Sequence, residues 1–301
     1  MIAADKEFHS GYVAILGKPN VGKSTLMNNL IGEKIAIMSA KAQTTRNRIM
    51  SILNTDKAQI IFLDTPGIHK PHHKLGDYMV KTALDTLKDV DVVLFVVDVT
   101  EKHKDDEVDV LDVLRKATQP VILVLNKIDL LKSQAEILRI IDTYSKVFPF
   151  AAVVPLSALR DKELNGLVQE IEKHLPAGPH YFDDDVLTDQ AERVIAGEMI
   201  REKILISTHD EVPHSVAVEV NDFKERDNDT VYIRATIYVE RESQKGIIIG
   251  AKGSMLKNIG QLARQDIENL LNTKVFVELW VKVRQDWRNS SSALKDFGYR
   301  E

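Results

Sequence analysis

Gly17-Lys18-Pro19-Asn20-Val21-Gly22-Lys23-Ser24 follows an apolar run, opens an amphipathic one, and matches G-x-x-x-x-G-K-[ST] at every position. The chemistry of that pattern is phosphate binding. Glycines let backbone N–H groups turn inward around phosphate oxygens, and the positive end of the following helix adds to their pull. Lys23 is placed to reach the β- and γ-phosphates of a nucleotide, and Ser24 to ligate Mg²⁺, with Thr25 beside it in the cradle. Asp64-Thr65-Pro66-Gly67 closes another apolar run and is followed by Ile68. A carboxylate at a strand end facing the cradle holds Mg²⁺ through water, and the Gly67 N–H is placed to sense a γ-phosphate. Asn126-Lys127-Ile128-Asp129 ends a third run and chooses the base. A fixed carboxylate at Asp129 accepts from guanine N1–H and the exocyclic amine, whereas adenine would leave it desolvated and unpaired. That counters an ATPase or kinase reading. Ser157-Ala158-Leu159 ends a further run and is placed to bring a backbone N–H to the guanine carbonyl.

These motifs need strands to carry them. Near-continuous apolar runs at Gly11–Leu16, Ile49–Leu53, Ala58–Leu63, Asp91–Val97, Val121–Leu125 and Ala151–Leu156 read as about six strands buried on both faces. Only Asn54–Lys57 separates the second run from the third, too little for a crossover helix, so those two strands are expected to pair antiparallel at one edge. The expectation is an α/β domain over residues 1–175: a six-stranded, mostly parallel sheet with one antiparallel edge strand and helices on both faces. Pro176, Gly178, Pro179 and the acids Asp183–Asp185 make residues 176–188 an extended linker. Residues 189–301 then read α-β-β-α-α-β, with a helix over Leu187–Leu205 opened by a capping box of Asp189 and Glu192, and strands at Ser215–Val220, Val231–Val239 and Lys274–Val283.

The second domain carries its own constellation. Ile247-Ile248-Ile249-Gly250-Ala251-Lys252-Gly253 joins two expected helices by G-x-x-G with a lysine inside. Such a loop lets phosphates approach the backbone, with Lys252 supplying charge and Ile247–Ile249 and Ile259 an aliphatic wall for splayed bases. From Arg241 to Arg264 there are five basic residues, Arg241, Lys245, Lys252, Lys257 and Arg264, against the single acid Glu242. The chain as a whole carries −5, so any nucleic-acid surface must be local, and this stripe is the candidate, with Arg241, Lys245, Ile249, Gly250, Ala251, Lys252, Gly253 and Lys257 as contact residues. Trp280 sits in a strand pattern and is expected in the core, while Trp287, Phe297 and Tyr299 are expected to pack a C-terminal tail. His69, His72 and His73 read as a solvated loop.

Composition closes other classes. With no cysteine in 301 residues, disulfides, thiol catalysis and cysteine-ligated metals are excluded. The longest apolar runs fall well short of the ~18–20 residues a membrane span requires. The first ten residues carry acids and no apolar stretch, so no signal peptide is expected.

Taken in order, the first four motifs resemble a translation-factor-type GTP-binding domain, with Ser39–Arg48 as its first switch. The resemblance makes Thr45, with Thr44 as its rival, the threonine that completes Mg²⁺ when GTP is bound. Ile68 stands where Ras-like GTPases have a water-positioning glutamine, so slow hydrolysis is expected. In the GTPases this sequence resembles, an asparagine at the position of Asn20 holds K⁺ near the β–γ bridge, doing the work of an arginine finger. The G-x-x-G unit resembles a type II KH module. Together, GKPNVGKS, KAQTTR, DTPG, NKID, SAL, REK around Arg201, IIIGAKG and ELWVKV are similar to the Era family of bacterial GTPases over nearly the whole chain. That resemblance implies GTP/GDP, Mg²⁺ and K⁺ as cofactors, and a cytoplasmic, monomeric switch that binds the 3′ end of small-subunit (16S) ribosomal RNA and assists 30S assembly. It also implies peripheral membrane association. GTP would order the switches and change how the first domain docks on the second. The alternative is a regulatory GTPase whose KH-like unit docks a protein or membrane; the basic stripe argues against it.

Overall fold

The computed structural model describes residues 7–39, 41, 43–101, 105–161, 164–226 and 229–299. Within the first-switch segment, residues 40 and 42 lie outside these. The chain forms two compact units: Met1–Ile35, Thr45–Lys70 and Met79–Asp189 make the first, and Ala36–Thr44, Pro71–Tyr78 and Gln190–Glu301 the second.

The first unit is built on six strands, β1 (His9–Leu16), β2 (Ile49–Asn54), β3 (Ala58–Asp64), β4 (Val92–Asp98), β5 (Val121–Asn126) and β6 (Ala152–Pro155), in the order β2-β3-β1-β4-β5-β6. β2 runs antiparallel to β3, and the other neighbours are parallel. Every residue of β3 and β4 is buried, as a strand covered on both faces requires. Along the chain lie helices α1 (Lys23–Ile31), α2 (Lys74–Thr86), α3 (Asp105–Leu114), α4 (Gln134–Val147) and α5 (Asn165–Glu172). Because β1, β3, β4, β5 and β6 point the same way, the loops leaving their carboxyl ends gather at one edge of the sheet, where open α/β folds bind ligands. The register aligns them: Ile15 pairs with Asp64, and Asp98 with Asn126.

Residues 176–188 are the segment read as an extended linker. They strap the first unit: the Ser10 N–H donates to Pro176 O at 3.1 Å, and the Tyr181 and Phe182 N–H groups donate to Gln59 Oε1 at 2.7 and 3.0 Å. The Ile52 N–H donates to Leu187 O at 2.9 Å. At Ile52 the physical reason is the edge: β2 ends the sheet, and an outward amide there takes its partner from the passing extended segment.

In the second unit α6 (Glu192–Ser207) precedes β7 (Ala217–Arg226) and β8 (Thr230–Val239), then α7 (Glu242–Ile249), α8 (Ser254–Leu271), β9 (Lys274–Val283) and α9 (Ser291–Asp296). The helix α6 starts later than expected, with Ala191 at its N-cap, so Asp189 and Glu192 form no capping box. The sheet order is β7-β8-β9, with β8–β9 parallel. Alternation decides its two faces. Val231, Ile233, Ala235, Ile237 and Val239 of β8 share a core with Ile200 and Ile204 of α6 and Ile259, Ala263 and Ile267 of α8. Trp280 points to the other face and is exposed, which corrects the core assignment: its neighbours Leu279 and Val281, not Trp280 itself, pack on that core. Trp287 is fully buried, stacks on Tyr299, meets Phe297 edge-on and donates its Nε1–H to Ser215 O at 2.8 Å, so the tail does pack.

Candidate functional site

The loop from Gly17 to Ser24 joins β1 to α1, whose first residue is Lys23 and whose N-cap, Gly22, is left-handed at φ 100°. Its first turn carries no acid, so the helix terminus keeps its positive end for an anion. Lys23 Nζ donates to Gly17 O and Lys18 O at 3.2 and 2.8 Å, folding the ammonium back over the loop. Gly67 lies so close to this loop that a Cβ on it would stand 2.6 Å from the Pro19 nitrogen. The Ile68 N–H donates to Gly17 O at 3.2 Å, and the Ile68 side chain is apolar and buried.

Three oxygens predicted for one metal meet. Ser24 Oγ lies 2.9 Å from Thr45 Oγ1 and donates to Asp64 Oδ2 at 2.7 Å; Thr45 Oγ1 is 3.2 Å from the same Asp64 oxygen. The Thr44 hydroxyl is elsewhere, donating to Lys41 O at 2.6 Å. Asp64 is fully buried, and its Oδ1 has no hydrogen-bond partner. Two hydroxyls and a carboxylate, one of whose buried oxygens has no partner, are a hard donor set that suits Mg²⁺. The Thr65 hydroxyl points away from this set and donates to Ile15 O at 2.8 Å.

Burial pushes the Asp64 carboxyl above its usual range, with Lys23 opposing the shift. Burial also lowers the Lys23 ammonium to about 8, again opposed by Asp64. A bound polyphosphate would restore the lysine's proton. Nucleotide affinity is therefore expected to be flat below about pH 8 and to fall as pH rises above it, since a deprotonated Lys23 must take up a proton to bind. Titrating a fluorescent GDP analogue between about pH 7 and about pH 9 checks this; an unchanged Kd across that range would exclude it.

Asn126 staples the base side together. Its Nδ2 donates to Val21 O at 2.7 Å, and its Oδ1 accepts from the Lys127 and Ala158 N–H groups, both at 2.8 Å. Lys127 is left-handed at φ 67°, and its Nζ donates to Asn20 O at 2.9 Å and to Asp98 Oδ2 at 2.5 Å. Asp98 is a site residue the sequence reading missed; its one signal was an acid ending an apolar run. Asp129 sits in the middle of the short turn Ile128–Leu130 at the end of this motif, with its nearest cation, Arg160, 3.8 Å away. The amides of Ser157 and Ala158 are taken by Asp161 and Asn126, and Leu159 is exposed. The Ser157–Leu159 loop thus braces the motif as well as bordering it.

In the second unit α7 ends at Gly250, with φ 70° and ψ 177°, where a Cβ would stand 2.7 Å from Met255 Cβ. Lys252 follows, exposed and left-handed at φ 51°, then Gly253 and α8. Beside this turn runs a groove of about 400 Å³ between α8 and β9, lined among others by Gly253, Leu256, Lys257, Arg264, Phe276 and Leu279. Of the expected contact residues, Gly253 and Lys257 line it, whereas Arg241, Lys245, Ile249, Gly250, Ala251 and Lys252 do not. Ile248 and Ile259 belong to the core, Ile247 is half exposed, and the apolar lining of this groove comes from Leu256 and β9. The β9 wall was not foreseen, because nothing local marks a strand as the bank of a groove.

A Walker-type cradle, a convergent metal-ligand set and an aspartate-bearing base loop on a mostly parallel sheet define a P-loop GTPase, here continued by a KH-type unit. Two family models match: one described as 50S ribosome-binding GTPase over residues 12–127, and a KH domain over residues 211–288. The chain is 52% identical to GTPase Era of Ruminiclostridium cellulolyticum over 97% of its length and 98% of the relative's, and 54% identical to that of Geobacter metallireducens over 98% and 99%. Among solved structures it matches a variant of Aquifex aeolicus Era bound to GDP·AlF4⁻ with a TM-score of 0.94 and 45% identity, covering 98% of this chain and all of that one. It matches Era in complex with MgGDPNP and nucleotides 1506–1542 of 16S ribosomal RNA with a TM-score of 0.95, the same identity and the same coverage. The chain belongs to the Era family of GTPases.

Proposed function

We propose that this GTPase is a switch that binds the 3′ end of 16S ribosomal RNA and assists 30S subunit assembly. The observation that carries the reading is the groove beside the G-x-x-G turn, on the same chain as the GTP cradle. The related Era captured with 16S nucleotides and MgGDPNP supports it. Ser24, Thr45 and Asp64 would hold Mg²⁺, which neutralises developing phosphate charge. Thr45 is favoured over Thr44 by its hydroxyl's closeness to the other two ligands. Lys23 would hold the phosphates and Asp129 the guanine.

Hydrolysis without a partner is slow in this reading, since Ile68 has no polar group to orient water. A potassium ion beside Asn20, whose side chain is exposed, would supply the missing positive charge. Replacing K⁺ by Na⁺ at constant ionic strength is expected to lower turnover on the order of tenfold, and Asn20→Ala to erase the difference. Equal turnover in both salts would remove K⁺ from the mechanism.

The switch operates by population shift. Thr44 and Thr45 are adjacent in the chain but fall in different units, so ordering Thr45 on Mg²⁺ constrains a segment that the second unit holds. Coupling is reciprocal: whatever factor GTP adds to RNA affinity, RNA adds to GTP affinity. No described helix is long and apolar enough to cross a membrane. The protein acts as a cytoplasmic monomer, and peripheral membrane association is carried by family resemblance alone.

The test is binding of a labelled 16S 3′-end oligonucleotide and a scrambled control to the protein loaded with GDP or a non-hydrolysable GTP analogue, at one salt concentration. Tighter, selective binding in the GTP state is expected. Equal, weak binding of both oligonucleotides in both states would favour a GTPase whose KH-type unit docks a protein.

A further inference from the structure

One face of the second unit's sheet packs on α6 and α8, with the groove along its β9 edge. The opposite face carries Tyr232 on β8 and Phe276, Glu278 and Trp280 on β9. Phe276 is 53% and Trp280 56% exposed, unusual for large aromatics outside an interface. They are also held in place. Glu278 accepts the Tyr232 hydroxyl on Oε2 at 2.5 Å and the Trp280 Nε1–H on Oε1 at 2.7 Å, so one carboxylate brackets two rings. Tyr232 stacks on Phe276 with centroids 6.0 Å apart, and the Arg226 guanidinium lies 4.2 Å above the Tyr232 ring. Oriented rings beside a cation are the parts of a base-stacking platform.

The charge of this face suits a phosphate chain. Both oxygens of Glu278 are occupied by the rings, and Asp222 is paired with Lys224 and Arg234. Arg226, Lys274 and Lys282 make no ion pair among the described residues. The face is also continuous with the groove. A second stretch of the cleft, lined by Thr230, Arg264, Lys274 and Phe276 among others, shares Arg264 and Phe276 with the first. Phe276 therefore lines the cleft and also joins the ring stack. On an edge strand, Phe276 and Trp280 are about 13 Å apart at ~3.3 Å per residue, room for more than one base.

We propose that the outer face of this sheet, at Phe276 and Trp280, is a second stacking site for the same single-stranded RNA, taken up where the strand leaves the groove. The site rests on the RNA reading of the groove and extends it. Groove contacts clamp the backbone, and the aromatic face adds affinity for longer strands with little dependence on sequence.

Two RNA oligonucleotides test it on the full chain: one of about four nucleotides, the length a G-x-x-G loop clamps, and one about three times as long containing the same core. Trp280→Ala is expected to leave the short oligonucleotide's Kd unchanged and to weaken the long one about tenfold, while Trp280→Phe keeps it. The long oligonucleotide should also quench the exposed Trp280 of the parent, and the short one should not. Undiminished binding of the long strand by Trp280→Ala, or equal losses for both strands, overturns the second site. A parent protein that binds neither strand overturns the RNA reading of the groove instead, so the two failures are distinct.

Discussion

Asp129→Asn is expected to convert a guanine site into a xanthine site. In the proposed geometry both Asp129 oxygens accept, one from N1–H and one from the exocyclic amine. Asparagine keeps one acceptor and turns an N–H₂ toward the amine, so a bond is lost and two donors are set facing each other. Each charge-assisted bond contributes about 1.5–3 kcal/mol, so losing or neutralising two should cost about 10²- to 10⁴-fold in GDP affinity. Xanthine carries a carbonyl where guanine has its amine, and the new N–H₂ can donate to it. The fold should not notice. The nearest cation to Asp129 is the mostly exposed Arg160 at 3.8 Å, and such a pair contributes about 0–1 kcal/mol. Titration with GDP and with xanthosine diphosphate measures the change, and nucleotide-free melting tests the neutrality. A variant that still prefers GDP would mean that the base is read elsewhere.

What the sequence disclosed here was what is local. The cradle is eight consecutive residues whose function lies in backbone conformation, so its pattern is its geometry. Strands β3, β4 and β5 announced themselves because burial on both faces leaves unbroken apolar runs. Their ends then located Asp64 and Asn126, because parallel strands bring their carboxyl ends together. The rest depended on partners distant in the chain. Alternation in β9 says that Phe276, Glu278 and Trp280 share a face, but not whether that face is covered, so Trp280 was misplaced. Asp98 joins the site only because β4 and β5 are in register at Asn126, which also sets Lys127 beside it. Proline, glycine and acids in residues 176–188 point to extended chain, but not to what that chain touches, and here it satisfies the edge strand at Ile52. The grouping of Ala36–Thr44 with the second unit had no local mark at all, since it depends on what Arg201 and Glu202 offer to backbone groups.

Arg201→Met is expected to be the most damaging change in the second unit, and its effect should reach GTP hydrolysis. The guanidinium is fully buried on α6 and stays protonated, its pKa raised by Glu198 against the opposing effect of burial. It donates to both Glu198 oxygens, to Gln43 O at 3.4 Å and, through Nη2, to Thr44 O. Next to it Glu202 Oε1 accepts the Met38 N–H at 2.8 Å, so two consecutive α6 residues hold the segment that leads to Thr45. Methionine keeps the packed stem and removes every donor. Breaking a buried pair from one side costs about 3–5 kcal/mol, and because Glu198 is 31% exposed and can rehydrate, the lower end applies. The functional consequence follows from chain connectivity. With the Thr44 carbonyl released, Thr45 must order on Mg²⁺ against a freer segment, and that entropy is charged to the GTP state alone. Hydrolysis and Mg²⁺ affinity in the GTP form should fall on the order of tenfold, with GDP affinity nearly unchanged. A double-mutant cycle with Thr45→Ala makes the claim strict: if Arg201 acts through Thr45, the two losses in turnover will be less than additive. Were Arg201→Met to lower the melting temperature while turnover and its Mg²⁺ dependence stayed at the parent's values, the arginine would be a structural residue of the second unit, and the proposed coupling through Thr45 would fall.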